Sequence, residues 1–82
     1  MTPIIKVQDG VSIYIFSRDH LPPHIHISYS GDEAIVEIRT GEKLKGEFPS
    51  RKLKVVQDWL KEEGVREKVE EIFYQLNPRL RR

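Results

Sequence analysis

Residues 24–39 read His24-Ile25-His26-Ile27-Ser28-Tyr29-Ser30-Gly31-Asp32-Glu33-Ala34-Ile35-Val36-Glu37-Ile38-Arg39. Two alternating runs, 24–30 and 33–39, flank Gly31-Asp32. Glycine at the first turn position fits a type II′ hairpin, whose twist matches that of the strands it joins. With this two-residue loop Ser30 faces Glu33, Tyr29 faces Ala34, Ile27 faces Val36 and Ile25 faces Ile38, giving one apolar face. The other face pairs His24 with Arg39, His26 with Glu37 and Ser28 with Ile35. Side chains alternate with period two, so a slip of one residue would turn the apolar set toward water. The hairpin therefore has one core face and one face rich in ionisable groups.

Upstream, Ile4 to Val7 and Val11 to Phe16 are apolar, β-branched or aromatic runs split by Asp9-Gly10, a strong short-range hairpin signal. The second run is apolar on both faces except at Ser12, as a central strand would be. Downstream, Gly41, Gly46 and Pro49 among charges mark residues 40–49 as a loop. Ser50 suits the N-cap of a helix reaching about Glu63, with Leu53, Val56 and Leu60 at helical spacing beside Val55 and Trp59. Gly64 fits the position just past its end. A second helix carries Val65, Val69, Ile72, Phe73 and Leu76 on one stripe and stops at Asn77-Pro78. The fold class expected is α+β: a four-stranded antiparallel sheet of two hairpins (strands about 3–39), then two helices (about 50–77) packed on one face. A frayed basic tail, 78–82, completes a single domain over 1–82. The two apolar stripes read as an αα-hairpin lying on the sheet, not as a helix-turn-helix.

At 82 residues and 9.7 kDa there is room for one domain with a modest core. The absence of cysteine excludes disulfides, thiolate zinc sites and a cysteine nucleophile. Any chemistry must rest on histidine, carboxylate and arginine. The net charge of +1 is small for a generic polyanion binder. It divides into −2 over residues 1–48 and +3 over residues 49–82, where Glu62, Glu63, Glu67, Glu70 and Glu71 interrupt the basic residues. With neither a basic segment before a long apolar run nor an apolar stretch of about 20 residues, a cytoplasmic protein without a membrane partner is expected.

All three histidines lie in the segment that joins the hairpins, Ser17-Arg18-Asp19-His20-Leu21-Pro22-Pro23-His24-Ile25-His26. Three residues placed at random in such a chain fall within seven positions only about 1% of the time, so the clustering asks for a cause. Pro22-Pro23 stiffens the connection, and His24 and His26, two apart on a strand, leave the same face. Three readings stay open. His24 and His26, with His20 or Asp19 reaching back, would form a site for zinc or another transition metal, where three protein ligands plus water is the catalytic zinc arrangement. Alternatively, His26 with Glu37, and Arg39 opposite His24 as an oxyanion holder, are parts of metal-free general acid–base cleavage of RNA. In the third reading the histidines cap backbone groups and pair with acids in a non-catalytic interaction module.

Ser17, Asp19-His20, Pro22-Pro23 and His24-Ile25-His26 resemble the Ser-x-Asp-His-x-Pro-Pro-His-x-His hallmark of a small prokaryotic family catalogued as domain of unknown function 4160. The resemblance extends to the strand ending Tyr14-Ile15-Phe16, the glycine-containing hairpin and the charged two-helix end. Ile25 and Ile27 stand where valine is usual. It implies no established activity, but a setting: a toxin–antitoxin-like two-gene module, with a small cognate protein encoded alongside as partner and RNA as a target. The motif residues carried over are Asp19, His20, His24 and His26, with Pro22 and Pro23. Glu37 and Arg39 come from strand pairing alone.

Overall fold

The computed structural model describes residues 4–17 and 19–80, with residues 4–8 as backbone. Residues 3, 81 and 82, included in the expected first strand and tail, lie outside the described residues. Strands β1 (Ile4–Gln8), β2 (Val11–Tyr14), β3 (His24–Tyr29), β4 (Asp32–Glu37) and β5 (Lys43–Gly46) precede helices α1 (Ser50–Leu60) and α2 (Val65–Leu76). The α+β arrangement of two antiparallel hairpins followed by two helices is confirmed. The sheet is one strand larger than expected, with spatial order β1-β2-β3-β4-β5 and every pairing antiparallel.

Both hairpins turn through two residues with positive φ, the type I′ signature: Asp9 (53°) with Gly10 (80°), and Ser30 (50°) with Gly31 (88°). The second turn is therefore Ser30-Gly31, not the expected Gly31-Asp32. The register moves by two: Tyr29 faces Asp32, Ile27 faces Ala34, Ile25 faces Val36, His26 faces Ile35 and His24 faces Glu37. An even shift keeps every side chain on its face, so the core face survives while the expected His26–Glu37 and His24–Arg39 pairs do not. The end of the ladder explains the choice. Ile38 passes beyond β4, and its N–H donates to the Pro23 carbonyl at 3.1 Å.

The core joins Val11, Ile13, Ile15, Ile25, Ile27, Val36 and Ile38 to Val56, Trp59 and Leu60 of α1 and Val69 and Phe73 of α2. Thus both helices cover one face of the sheet. Ser50 is the first helical residue, after Pro49, and makes no side-chain cap; the Pro49 carbonyl accepts from Leu53 N–H at 2.9 Å. Helix α1 ends at Leu60, short of Glu63, because Lys61 and Glu62 N–H turn back to Asp58 and Trp59 carbonyls at 3.1 Å. Gly64, in the left-handed region, caps the start of α2 instead of trailing α1. Asn77-Pro78 ends α2 as expected, but Pro78–Leu80 forms a 3-10 turn and is not frayed. No helix among the described residues is long and apolar enough to cross a membrane.

Strand β5 lies within the stretch read as a loop. It is exposed at every residue, so no buried alternation announces it, and its two lysines suit an open sheet edge. Gly46 makes the pairing with β4 work: at φ 98°, a Cβ there would overlap the Glu33 carbonyl oxygen and sit 2.8 Å from Ala34 Cα. Gly46→Ala is expected to lower stability by about 2 kcal/mol or more. A Cβ on Gly31, by contrast, meets no heavy atom within 4 Å. Gly31→Ala should therefore lose less, a ranking that urea midpoints check.

Candidate metal centre

After β2 the chain leaves the sheet, loops through Asp19 and Pro22-Pro23, and re-enters as β3 at His24. Strand alternation sends Ile25 and Ile27 into the core and leaves His24 and His26 on the side to which the loop returns. His24 is fully buried, its ring centroid 5.6 Å from that of Phe73 on α2. His26 is partly exposed, with Phe16 edge-on at 4.2 Å and Tyr14 nearly parallel at 6.0 Å.

Asp19 unites the pair. Its Oδ2 accepts from His24 Nε2 at 2.8 Å and from His26 Nε2 at 3.1 Å, while Oδ1 accepts from the His20 backbone N–H at 3.0 Å. The other nitrogen of His24, Nδ1, donates to the Pro22 carbonyl at 2.7 Å. Carbonyl and carboxylate are both acceptors, so His24 makes both bonds at once only with a proton on each nitrogen. A cation on Nε2 would satisfy the same carboxylate and leave Nδ1–H on the carbonyl, the usual outer support of a metal-bound histidine.

At Asp19 and His26 the electrostatics favour metal-binding protonation states. Burial pushes the Asp19 carboxyl up, but hydrogen bonds from His26 and the His20 backbone, with the charge and hydrogen bond of His24, together hold it below the ordinary value. Burial holds His26 below the usual imidazole value despite the opposing pull of Asp19. An ionised carboxylate and a neutral imidazole are the forms that donate lone pairs to a cation. The three candidate ligand atoms lie within 4.8 Å of one another. Around zinc, with bonds of about 2.0–2.2 Å, tetrahedral ligand atoms stand about 3.3 Å apart. Admitting the ion would lengthen the two Asp19 contacts by a few tenths of an ångström and draw the most widely separated ligand atoms closer together.

The remaining expected site residues are placed elsewhere. His20, expected as a metal ligand, is 84% exposed in its side chain, its Nδ1 3.2 Å from the Leu21 carbonyl. Asp19, the alternative to His20 as third candidate ligand, lies against both histidines instead. Glu37 faces His24 across the ladder, but its carboxylate accepts from the Thr40 hydroxyl at 3.1 Å. Arg39 lies beyond β4 and pairs with Glu70 of α2 at 2.6 Å. Neither joins the histidines, because the register shift moves Glu37 past His26 and the chain turns away after Glu37. Pro22 contributes its carbonyl, and Pro23 anchors Ile38.

Two supporting residues were not legible as such. Asn77, read as a helix stop, is wholly buried: its Oδ1 accepts from the Asp19 backbone N–H, and its Nδ2 donates to the carbonyls of Phe16 at 3.0 Å and Phe73 at 2.9 Å. Arg79, expected in the frayed tail, donates from Nη2 to the Asp19 carbonyl. The available signal was that Asn77 is the single asparagine of the chain.

Comparison with known proteins bears on the same segment. A family model described as Domain of unknown function (DUF4160) matches residues 10–69, 60 of the 82. The chain belongs to this family. The match spans Asp19, His24 and His26 but stops before Asn77 and Arg79, so this DUF4160 chain fastens its cluster with residues beyond the matched region. Among curated proteins and among solved structures, nothing matches.

Proposed function

We propose that this DUF4160 chain is a metal-binding domain that holds one divalent transition-metal ion, zinc or a close relative, on Asp19, His24 and His26. The observation that carries the reading is the convergence of two imidazole Nε2 atoms on one carboxylate oxygen, with His24 Nδ1 already held by the Pro22 carbonyl. Two histidines and a carboxylate leave further coordination positions for water or substrate, the arrangement that hydrolytic metal sites use. Metal-assisted hydrolysis is thus favoured over the metal-free acid–base cleavage set, whose Glu37 and Arg39 are engaged with Thr40 and Glu70.

Titration of chelator-stripped protein with zinc, and separately with cobalt(II), tests this. The expected result is one ion per chain, with visible d–d absorption bands for cobalt. At zinc concentrations about 100 times Kd the stabilisation is about 2.7 kcal/mol. For a domain of this size that corresponds to a melting temperature higher by about 10 °C or more. His26→Ala should abolish binding, whereas His20→Ala should retain it. Absence of binding by the wild type, or equal loss in the His20 variant, overturns the assignment.

A further inference from the structure

On the sheet face opposite the helices, four residues stand side by side across four strands. Tyr14 of β2 faces His26 of β3, His26 faces Ile35 of β4, and Ile35 faces Lys45 of β5. At about 4.8 Å per strand, the backbones of this row span about 14 Å, with a phenol residue on the first strand and a lysine on the last. Phe16 stands beside it, edge-on to Tyr14 at 5.5 Å, and Glu33 lies two residues along β4 from Ile35. These six residues line a concavity of about 280 Å³ on a face that no helix covers among the described residues. Neither Glu33 nor Lys45 is held in an ion pair among the described residues.

We infer that this concavity binds a nucleoside monophosphate whose base carries an amino group. Each part of the lining has a counterpart in that ligand. The rings of Tyr14, Phe16 and His26 offer an aromatic wall for a planar base, since base–aromatic contacts tolerate any π-face. The Glu33 carboxylate accepts from an exocyclic amino group, and Lys45 at the far end of the row meets the phosphate as a point charge. A ligand without an N–H donor would leave Glu33 desolvated and unpaired, which selects against simple aryl phosphates. The volume holds one nucleotide, and the lining contains a single cation, whereas a strand would call for several phosphate contacts. The occupant is thus a single nucleotide, not a polymer. The site needs no metal, although His26 borders both it and the metal centre.

The test is titration of isotope-labelled protein with adenosine 5′-monophosphate, followed by amide chemical shifts. Metal-free wild type and Asp19→Asn are used, so that the outcome is independent of zinc binding. Saturable shifts at millimolar nucleotide, confined to the strands around Tyr14, Phe16, Ile35 and Lys45, are expected. Lys45→Glu, at an exposed edge position, should weaken binding by about tenfold, as should Phe16→Ala. Ribose 5-phosphate and phenyl phosphate should bind at least about tenfold more weakly than the nucleotide. No shifts, shifts elsewhere, unchanged affinity in Lys45→Glu, or equal binding of phenyl phosphate would overturn the proposal. An oligonucleotide binding far more tightly than the monomer would overturn it in favour of a strand-binding face.

Discussion

Asp19→Asn is expected to lower zinc affinity by about 100-fold or more while leaving the melting temperature of the metal-free protein within a few degrees of wild type. The substitution preserves shape and changes charge. Asparagine can still accept from the His20 N–H and can donate its amide to an unprotonated Nε2, so the loop keeps its local partners. It cannot supply an anionic ligand, and it withdraws the charge that offsets the cation. Asp19→Ala should also lose the fold's support, because the buried His24 Nε2 is left without a partner. The pair of variants separates a metal ligand from a merely structural acid: a structural Asp19 would show large destabilisation in both and no difference in metal titration. The metal-free stability that Asp19 supplies also has a definite pH dependence. Its folded value is depressed, so the contribution is complete above the ordinary carboxylate pKa and disappears as the pH falls through the lowered one. Asp19→Asn should flatten that acid limb of the stability curve.

Asn77→Ala is expected to produce the larger loss of stability, about 2–4 kcal/mol, seen as a fall of about 10–20 °C in thermal unfolding. Its side chain makes three hydrogen bonds from a fully buried position and ties three separated pieces of chain together. These are the end of α2 through Phe73, the exit from β2 through Phe16, and the loop through Asp19. Truncation strands the Asp19 amide N–H and the Phe16 carbonyl away from water, each with its own desolvation penalty, while the Phe73 carbonyl keeps the backbone N–H of residue 77. Asn77→Asp should be no better, since a carboxylate would then face two carbonyl oxygens. Below the melting transition the Ala variant should also bind zinc more weakly, because Asp19 loses the backbone anchor that presents its carboxylate. An unaltered melting curve would show that the loop is held by other contacts.

Particular residues show how far the chain could be read in advance. Asp9-Gly10, the apolar run 11–16 and the alternation of 25–29 and 34–38 placed two hairpins and assigned the core side chains of the second to their correct face. Asp-Gly turns and period-two burial are local physics. The stripes Val56 and Leu60, then Val69 and Phe73, likewise placed both helices on the sheet. The Pro-Pro segment singled out Asp19, His24 and His26 as the residues to watch, with His20 as a fourth. The hairpin register was less legible: Ser30-Gly31 and Gly31-Asp32 are both sound two-residue turns, and both leave the same residues in the core. The ladder is decided by where Ile38 finds its acceptor, a long-range bond to Pro23.

The sequence by itself thus determined the order of the two hairpins and two helices, the buried face of the second hairpin and the residue types available for chemistry, since each follows from short-range periodicity and composition. The tertiary structure decided which of those residues meet. It brought Asp19 to His24 and His26 in place of His20, and it moved Glu37 and Arg39 to Thr40 and Glu70. It also fixed Asp19 from the far end of the chain through Asn77, 58 positions away. Contacts at that separation depend on how the second helix lies on the sheet, a packing outcome that no local pattern encodes.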